Sequence, residues 1–170
     1  GSTRMFDVQF ARRQMIEQQV RAWEVLDLRV LDALGQVSRE EYVPAAYREI
    51  AFADTSVPLA HGQCMLPPKV EGRILQSLEI RPHELALEVG TGSGYLTALL
   101  ASQAAEVVSV DIIPEFTASA TQKLRAHGFT NVALHPGDAA RDWPDEAGFD
   151  VIVLTGSTPL LSEAFRRRLR

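Results

Sequence analysis

The stretch Leu85-Ala86-Leu87-Glu88-Val89-Gly90-Thr91-Gly92-Ser93-Gly94-Tyr95 decides the fold. Its first five residues are a short, nearly all-apolar run, as expected of a strand covered on both faces. Three glycines at alternate positions follow, and from Tyr95 to Ala101 the chain reads as a helix. A glycine loop between a strand and a helix is the context in which such a loop binds a ligand. Gly90, Gly92 and Gly94 let the backbone turn tightly and approach a bound group with no Cβ in the way. A packing turn is the plain alternative for the loop taken alone.

Toward the C-terminus the same alternation continues. Val107 to Val110 reads as a second strand. Pro114 opens a helix with Phe116, Ala120 and Leu124 as its buried stripe and Gly128 as its stop. Val132 to Leu134 and Phe149 to Leu154 read as the third and fourth strands. Strands and helices in alternation give an α/β fold: a Rossmann-like, mostly parallel sheet flanked by helices.

Toward the N-terminus the pattern is helical. Asp7 to Trp23 reads as one amphipathic helix with Ile16, Val20 and Trp23 on its apolar face. Asp27 is placed to cap a second helix that buries Val30, Leu31 and Leu34. Ser38 and Glu41 have the spacing of a capping box for a short helix that Pro44 stops. Ala51 to Met65 reads as extended chain and loop. Pro67 and Pro68 suit the first turn of a helix that buries Val70, Ile74, Leu75 and Leu78 and ends at Arg81-Pro82. Residues 1–80 are expected to be a helical lid with a substrate-side loop. Residues 81–170 are expected to be the cofactor-binding core, the two making a single overall domain.

Composition bounds the function. With 46% hydrophobic and 23% charged residues the chain is an ordinary globular protein. A net charge of −5 argues against general nucleic-acid binding, which needs basic surface. Cys64 is the single cysteine, so no intrachain disulfide forms and a reducing, cytoplasmic setting is expected. His61, His83, His127 and His135 lack the paired spacing of a metal site. Neither a signal-peptide apolar region nor a membrane-spanning run is visible.

Two acidic residues join the glycine loop. Asp111 ends the second strand about twenty residues past the loop, where an acid can accept hydrogen bonds from both ribose hydroxyls. Asp138, in Gly137-Asp138-Ala139, follows the third strand and is placed to accept from an adenine amino group. Both fall at C-terminal ends of parallel strands, where open α/β sheets bind ligands. The spacing Glu-x-Gly-x-Gly-x-Gly differs from Gly-x-Gly-x-x-Gly, which serves a pyrophosphate. Glu88 beside the loop is awkward near a pyrophosphate and electrostatically acceptable near a cation. The ligand these features select is S-adenosylmethionine, whose sulfonium is positive, over a nicotinamide dinucleotide. A solvated strand end is the alternative for Glu88.

The sequence resembles the protein-L-isoaspartate O-methyltransferase family across nearly its whole length. The residues that carry the resemblance are Met15 to Arg21, Arg39-Glu40-Glu41-Tyr42-Val43-Pro44, Pro58-Leu59-Ala60-His61-Gly62-Gln63, Leu87 to Tyr95, Asn131-Val132, Gly137-Asp138 and Phe149-Asp150. The His-Gly-Gln segment is the more specific of these. The resemblance implies a methyltransferase that esterifies the α-carboxylate of L-isoaspartyl residues in damaged proteins, a repair reaction. It also implies cofactor contacts from Gln63, Cys64, Glu88, Gly90, Thr91, Gly92, Gly94, Asp111, Ile112, Asp138 and Ala139.

Two departures qualify it. After His-Gly-Gln the family usually reads Thr-Ile-Ser-Gln-Pro, with the serine as its active-site group, whereas this chain reads Cys64-Met65-Leu66-Pro67-Pro68. Leu66 therefore occupies the catalytic position, and leucine neither donates nor accepts a hydrogen bond. The chain also ends at Phe165 to Arg170, in the expected helix after the fourth strand, where the family continues with further strands. On that reading the C-terminal part of the fold is incomplete, the fourth strand is an exposed edge, and homo-oligomers through it are expected. The terminal arginines suit the C-terminal turn of a helix. Three readings stand: the isoaspartyl reaction, methylation of a small molecule or another protein group in an apolar pocket, and binding of S-adenosylmethionine without catalysis. Amino-group methylation of DNA is not expected. Leu154-Thr155-Gly156-Ser157-Thr158-Pro159 lacks the Asp/Asn-Pro-Pro-aromatic element.

Overall fold

The computed structural model describes residues 7–138 and 148–155. Strands β3 (Leu85–Val89), β4 (Glu106–Asp111), β5 (Val132–Pro136) and β6 (Val151–Leu154) form one sheet in the order β5-β4-β3-β6. All three pairings are parallel. Helix α4 (Tyr95–Gln103) connects β3 to β4, and α5 (Pro114–Ala126) connects β4 to β5. The glycine-rich stretch thus enters the centre of the sheet, with β4 on one side and β6 on the other. Among the described residues β6 is the outer strand on its side, and its last residue, Leu154, is exposed.

The α/β reading of the sequence holds here element by element. Helix α5 buries Phe116, Ala120 and Leu124, and Gly128 follows it at φ 81°. Helix α4 is buried almost along its whole length, as a helix between a sheet and a second helical layer must be.

That second layer is the N-terminal part. Helix α2 (Leu28–Gln36) is capped by Asp27, whose side chain accepts from the Arg29 amide. Helix α3 (Pro68–Leu78) begins at the second of the paired prolines and buries Ile74, Leu75 and Leu78. A two-stranded antiparallel hairpin, β1 (Val57–Pro58) and β2 (Cys64–Met65), lies in the segment read as extended chain. One hydrophobic cluster contains Val20, Leu34 and Leu75 from this layer and Leu99, Val107 and Val153 from the sheet side.

Three local expectations are corrected. The first helix is not continuous: α1 (Val8–Met15) widens into a π-helical stretch at Ile16–Val20 and tightens to a 3-10 turn at Arg21–Trp23. The change of winding rotates Trp23 out of the apolar stripe. Its ring is half exposed, with the Lys69 ammonium 4.5 Å from the centroid. The capping box at Ser38 does not form, since Arg39–Tyr42 is a 3-10 turn with no side-chain cap. In that turn Arg39 is fully buried, its guanidinium paired with Glu71. Helix α3 stops at Leu78, three residues before Arg81, because Glu79 adopts a left-handed conformation at φ 48°.

Candidate functional site

The site sits where β3, β4 and β6 end. Its loop is shaped by three glycines that have different reasons to be glycine. All three have positive φ: 104° at Gly90, 53° at Gly92 and 89° at Gly94. A Cβ on Gly90 would stand 2.9 Å from the carbonyl oxygen of Thr155, and one on Gly94 would stand 2.8 Å from the Cβ of Ala120. These two are excluded by the protein's own packing. A Cβ on Gly92 would meet only Leu59, at 3.6 Å. Gly92 is thus the loop glycine that the protein's own packing leaves open.

Asp111 fastens this loop. Its Oδ2 accepts from the Gly92 amide at 3.0 Å and its Oδ1 from the Ile113 amide at 2.9 Å. Each oxygen keeps a further lone pair for a ligand. Ile112 beside it is 72% exposed, an apolar face at the end of β4 with nothing covering it among the described residues. The Gly137 amide donates to the Asp111 carbonyl at 2.8 Å, which brings the exposed Asp138 to the same end of the sheet. Ala139 lies outside the described residues.

A pocket opens in front of the loop. Gly90, Thr91 and Gly92 line it, with Gln63, Cys64, Leu66, Glu71 and Glu88. Gly94, Asp111, Ile112 and Asp138 do not. Gly94 is turned into the protein, and the others stand beyond the pocket along the strand ends. Leu66 is half-buried and packs against the core cluster. With Leu59, Met65 and Leu96 it makes an apolar wall.

Glu88 is fully buried, not a solvated strand end. Its register partner on β4 is Ser109. The Ser109 hydroxyl donates to Glu88 Oε1 at 2.7 Å, and the Thr97 hydroxyl donates to the same oxygen. Burial pushes its carboxyl up to about 8, against the pull of those two hydroxyls. Glu88 Oε2 and Gln63 Oε1 are buried without a hydrogen-bond partner in the structure.

Behind the pocket lies a polar knot that the sequence reading missed. Arg39 is fully buried and pairs with buried Glu71. Its Nε donates to the Ala51 carbonyl at 2.6 Å and its Nη2 to the Leu66 carbonyl at 3.0 Å. The guanidinium lies 4.8 Å from the centre of the Tyr95 ring. Burial pushes the Glu71 carboxyl up to about 7, with Arg39 working in the opposite direction. A signal was available: Glu71 falls on the stripe of Ile74, Leu75 and Leu78, where a charge must find a buried partner. A second missed feature is the turn at Ala60–Gly62. It carries His61 to 3.6 Å from Glu115 and sets it edge-on against Phe116, so the hairpin reaches the first turn of α5.

The family model described as protein-L-isoaspartate(D-aspartate) O-methyltransferase matches residues 11–170. The chain belongs to this family. Protein-L-isoaspartate O-methyltransferases similar to it include one from Myxococcus xanthus, 42% identical over 135 residues that cover 79% of this chain and 64% of the relative. Another, from Methanoculleus marisnigri, is 39% identical over 148 residues, covering 87% of this chain and 67% of the relative. The chain thus spans about two thirds of the length of these relatives. Two solved structures share the fold. A protein-L-isoaspartate O-methyltransferase matches 85% of this chain and 47% of its own at a TM-score of 0.69 and 21% identity. A putative family member from Plasmodium falciparum, in complex with S-adenosyl-L-homocysteine, matches 89% of this chain and 74% of its own at 0.68 and 19% identity.

Proposed function

We propose that this chain holds S-adenosylmethionine along the ends of β3 and β4 and serves methyl transfer to the α-carboxylate of an L-isoaspartyl residue in a protein or peptide. The observation that carries the reading is a pair of buried, unpartnered acceptors, Glu88 Oε2 and Gln63 Oε1, facing a pocket floored by the backbone of Gly90 and Gly92. Acceptors in that position fit a ligand with a positive charge and hydrogen-bond donors. Asp111 has lone pairs for ribose hydroxyls. Ile112 offers an apolar face for a purine, and Asp138 an acceptor for its amino group. Cys64 and Thr91 complete the walls around the methionine portion, and Ala139, next in sequence to Asp138, is a cofactor contact on the family resemblance alone. When bound, the cofactor supplies a methyl group already activated by a sulfonium.

The chain itself then has little proton chemistry to do. A carboxylate nucleophile is ionised at neutral pH. What remains is alignment of the reacting groups and exclusion of water. Arg39 fixes the main chain at Leu66, and Leu59, Met65, Leu66 and Leu96 keep that side of the pocket apolar. In this reading residues 1–80 are the lid and substrate side and residues 81–170 the cofactor side. The protein works in the cytoplasm without nucleic acid or membrane. No helix among the described residues is long and apolar enough to cross a membrane.

Leu66 favours a second reading, methylation of a small molecule or another protein group with an apolar body. Calorimetry with S-adenosylmethionine, followed by turnover on an isoaspartyl peptide, separates the cases. Binding with turnover supports the first; binding without it leaves the second and the reading of S-adenosylmethionine binding without catalysis. NAD binding in place of S-adenosylmethionine overturns both.

A further inference from the structure

The β1–β2 hairpin brings Leu59, Gln63 and Cys64 to the pocket, and Leu66 follows directly after it. Its strands pair over two residues each, Val57 with Met65 and Pro58 with Cys64. Pro58 has no amide hydrogen to give. A hairpin this short is not stable by itself, and its turn runs through left-handed backbone at His61 and Gly62. Burial of Val57 and Met65 holds it to the core, but apolar burial has no direction. Its orientation must be set at its two ends.

Both ends are bonded to one side chain. Arg39 Nε donates to the carbonyl of Ala51, ahead of β1, and Nη2 to the carbonyl of Leu66, just past β2. Its Nη1 pairs with Glu71 on α3, and the guanidinium lies over the ring of Tyr95, the first residue after the last loop glycine. A guanidinium is planar with its donors in a fixed fork, so acceptors bonded to it are fixed relative to one another. Glu71 balances a charge that burial alone would make costly. Gln19, from the π-helical stretch, adds a bond to the Phe52 carbonyl at 2.8 Å and steadies the first end.

Resting on the methyl transfer proposed above, we propose that Arg39 is a positioning residue for that reaction. It clamps both ends of the hairpin and sets where Gln63, Cys64 and Leu66 stand relative to the glycine loop. A lysine in its place keeps the charge for Glu71 but is a flexible point charge without the fork. It cannot hold the carbonyls of Ala51 and Leu66 together, and the acceptor side of the pocket then loses its alignment with the cofactor side.

Cys64 is the single cysteine of the chain and sits on β2, so its labelling by iodoacetamide reports how firmly the hairpin is seated. The variant is Arg39→Lys in the whole chain. Leu124→Ala, which truncates a buried residue of α5, is the control for lost stability alone. Well below the melting temperature, Cys64 in Arg39→Lys should react about tenfold faster than in the wild type, as loss of one charge-assisted hydrogen bond allows. Leu124→Ala should react like the wild type. Turnover on an isoaspartyl peptide at saturating S-adenosylmethionine should fall about tenfold or more in Arg39→Lys alone. A wild-type labelling rate in Arg39→Lys overturns the proposal, as does equal acceleration in Leu124→Ala or undiminished turnover. Should Arg39→Lys not fold, hydrogen exchange in the wild type decides. The Leu59 amide, bonded to the Gln63 carbonyl at 2.9 Å, should be protected like the amides of α3, and exchange at the rate of an open turn overturns the clamp. Absence of turnover in the wild type overturns the functional reading instead, and the labelling comparison then decides the clamp by itself.

Discussion

The carboxylate of Asp111 and the amide of Gly92 are hydrogen-bonded at 3.0 Å, so the acid at the end of β4 and the open glycine of the loop form one unit. Asp111→Ala would therefore act twice. It removes the acceptor for Gly92 and Ile113, and it removes the proposed acceptor for ribose hydroxyls. Each hydrogen bond to a charged group is worth about 1.5–3 kcal/mol. Loss of S-adenosylhomocysteine affinity accompanied by a lower melting temperature is expected. Asp111→Asn, which keeps one acceptor oxygen, should recover part of both. Full affinity in Asp111→Ala would show that the residue only braces the loop.

The three loop glycines should separate by cause. Gly94→Ala places a methyl 2.8 Å from the Cβ of Ala120 at a φ of 89°. Overpacking of about 1–3 kcal/mol adds to backbone strain of similar size. Gly62→Ala, at φ 70° with open space around it, incurs the strain alone. Urea unfolding should rank Gly94→Ala clearly below Gly62→Ala, and equal midpoints would contradict the packing seen here.

Glu88 sets a pH dependence of stability whose sign follows from the raised value. In the unfolded chain the carboxyl ionises near its ordinary 4.5, whereas in the folded chain it holds its proton up to about 8. The folded state binds more protons between these values. The contribution of Glu88 is therefore greatest below 4.5, falls as pH rises, and levels off above 8. The slope is at most about 1.4 kcal/mol per pH unit. Glu88→Gln should melt like the wild type near pH 5 and higher than it near pH 9. Parallel curves at both pH values would show that Glu88 is ionised throughout.

Arg39→Met leaves Glu71 buried without its partner, and the carbonyls of Ala51 and Leu66 without their donor. Breaking a buried pair from one side costs about 3–5 kcal/mol. The double variant Arg39→Met, Glu71→Met should be more stable than Arg39→Met alone, since it removes the stranded charge. A double-mutant cycle from denaturant unfolding measures the difference, and strict additivity would rule out the coupling.

Leu66→Ser tests the substrate. A hydroxyl at the family's serine position would be worth about 1.5–3 kcal/mol on a substrate carboxylate, roughly ten- to a hundredfold in rate. Leu66 is half-buried, so the stability loss should fall below the ~2–5 kcal/mol of a fully buried leucine truncated to alanine. A rise in turnover on an isoaspartyl peptide supports that acceptor. Background turnover with a lower melting temperature points to the apolar-substrate reading.

The sheet was legible because its strands are short apolar runs between helical stripes, a pattern that depends only on neighbours in sequence. The loop and Asp111 were legible for the same reason, since their spacing fixes their place on strand ends. The buried state of Glu88 was harder to see. Ser109 and Thr97 identify themselves as its partners only once β3 and β4 are in register and α4 lies across them. Arg39 was read as part of a signature without a role, because its four attachments come from segments that sequence spacing does not connect. The break at Ile16 has no signal in the apolar periodicity, which continues through it to Trp23.

The hydrogen bonds of Thr155 bear on the order in which the molecule assembles. Its amide reaches the Val89 carbonyl at 3.2 Å and its hydroxyl the Gly90 carbonyl at 3.2 Å. These bonds close a loop of 65 residues in the second case. Contacts so distant in sequence form late, after nearer pairings have met the entropy of closure. During synthesis the glycine loop leaves the ribosome long before Thr155, and its carbonyls wait for a strand not yet made. The segment most recognisable in the sequence is thus among the last to reach its final geometry. A nascent chain stopped before Thr155 would carry the whole motif, with Asp111 able to hold Gly92, and lack the Thr155 bonds to Val89 and Gly90.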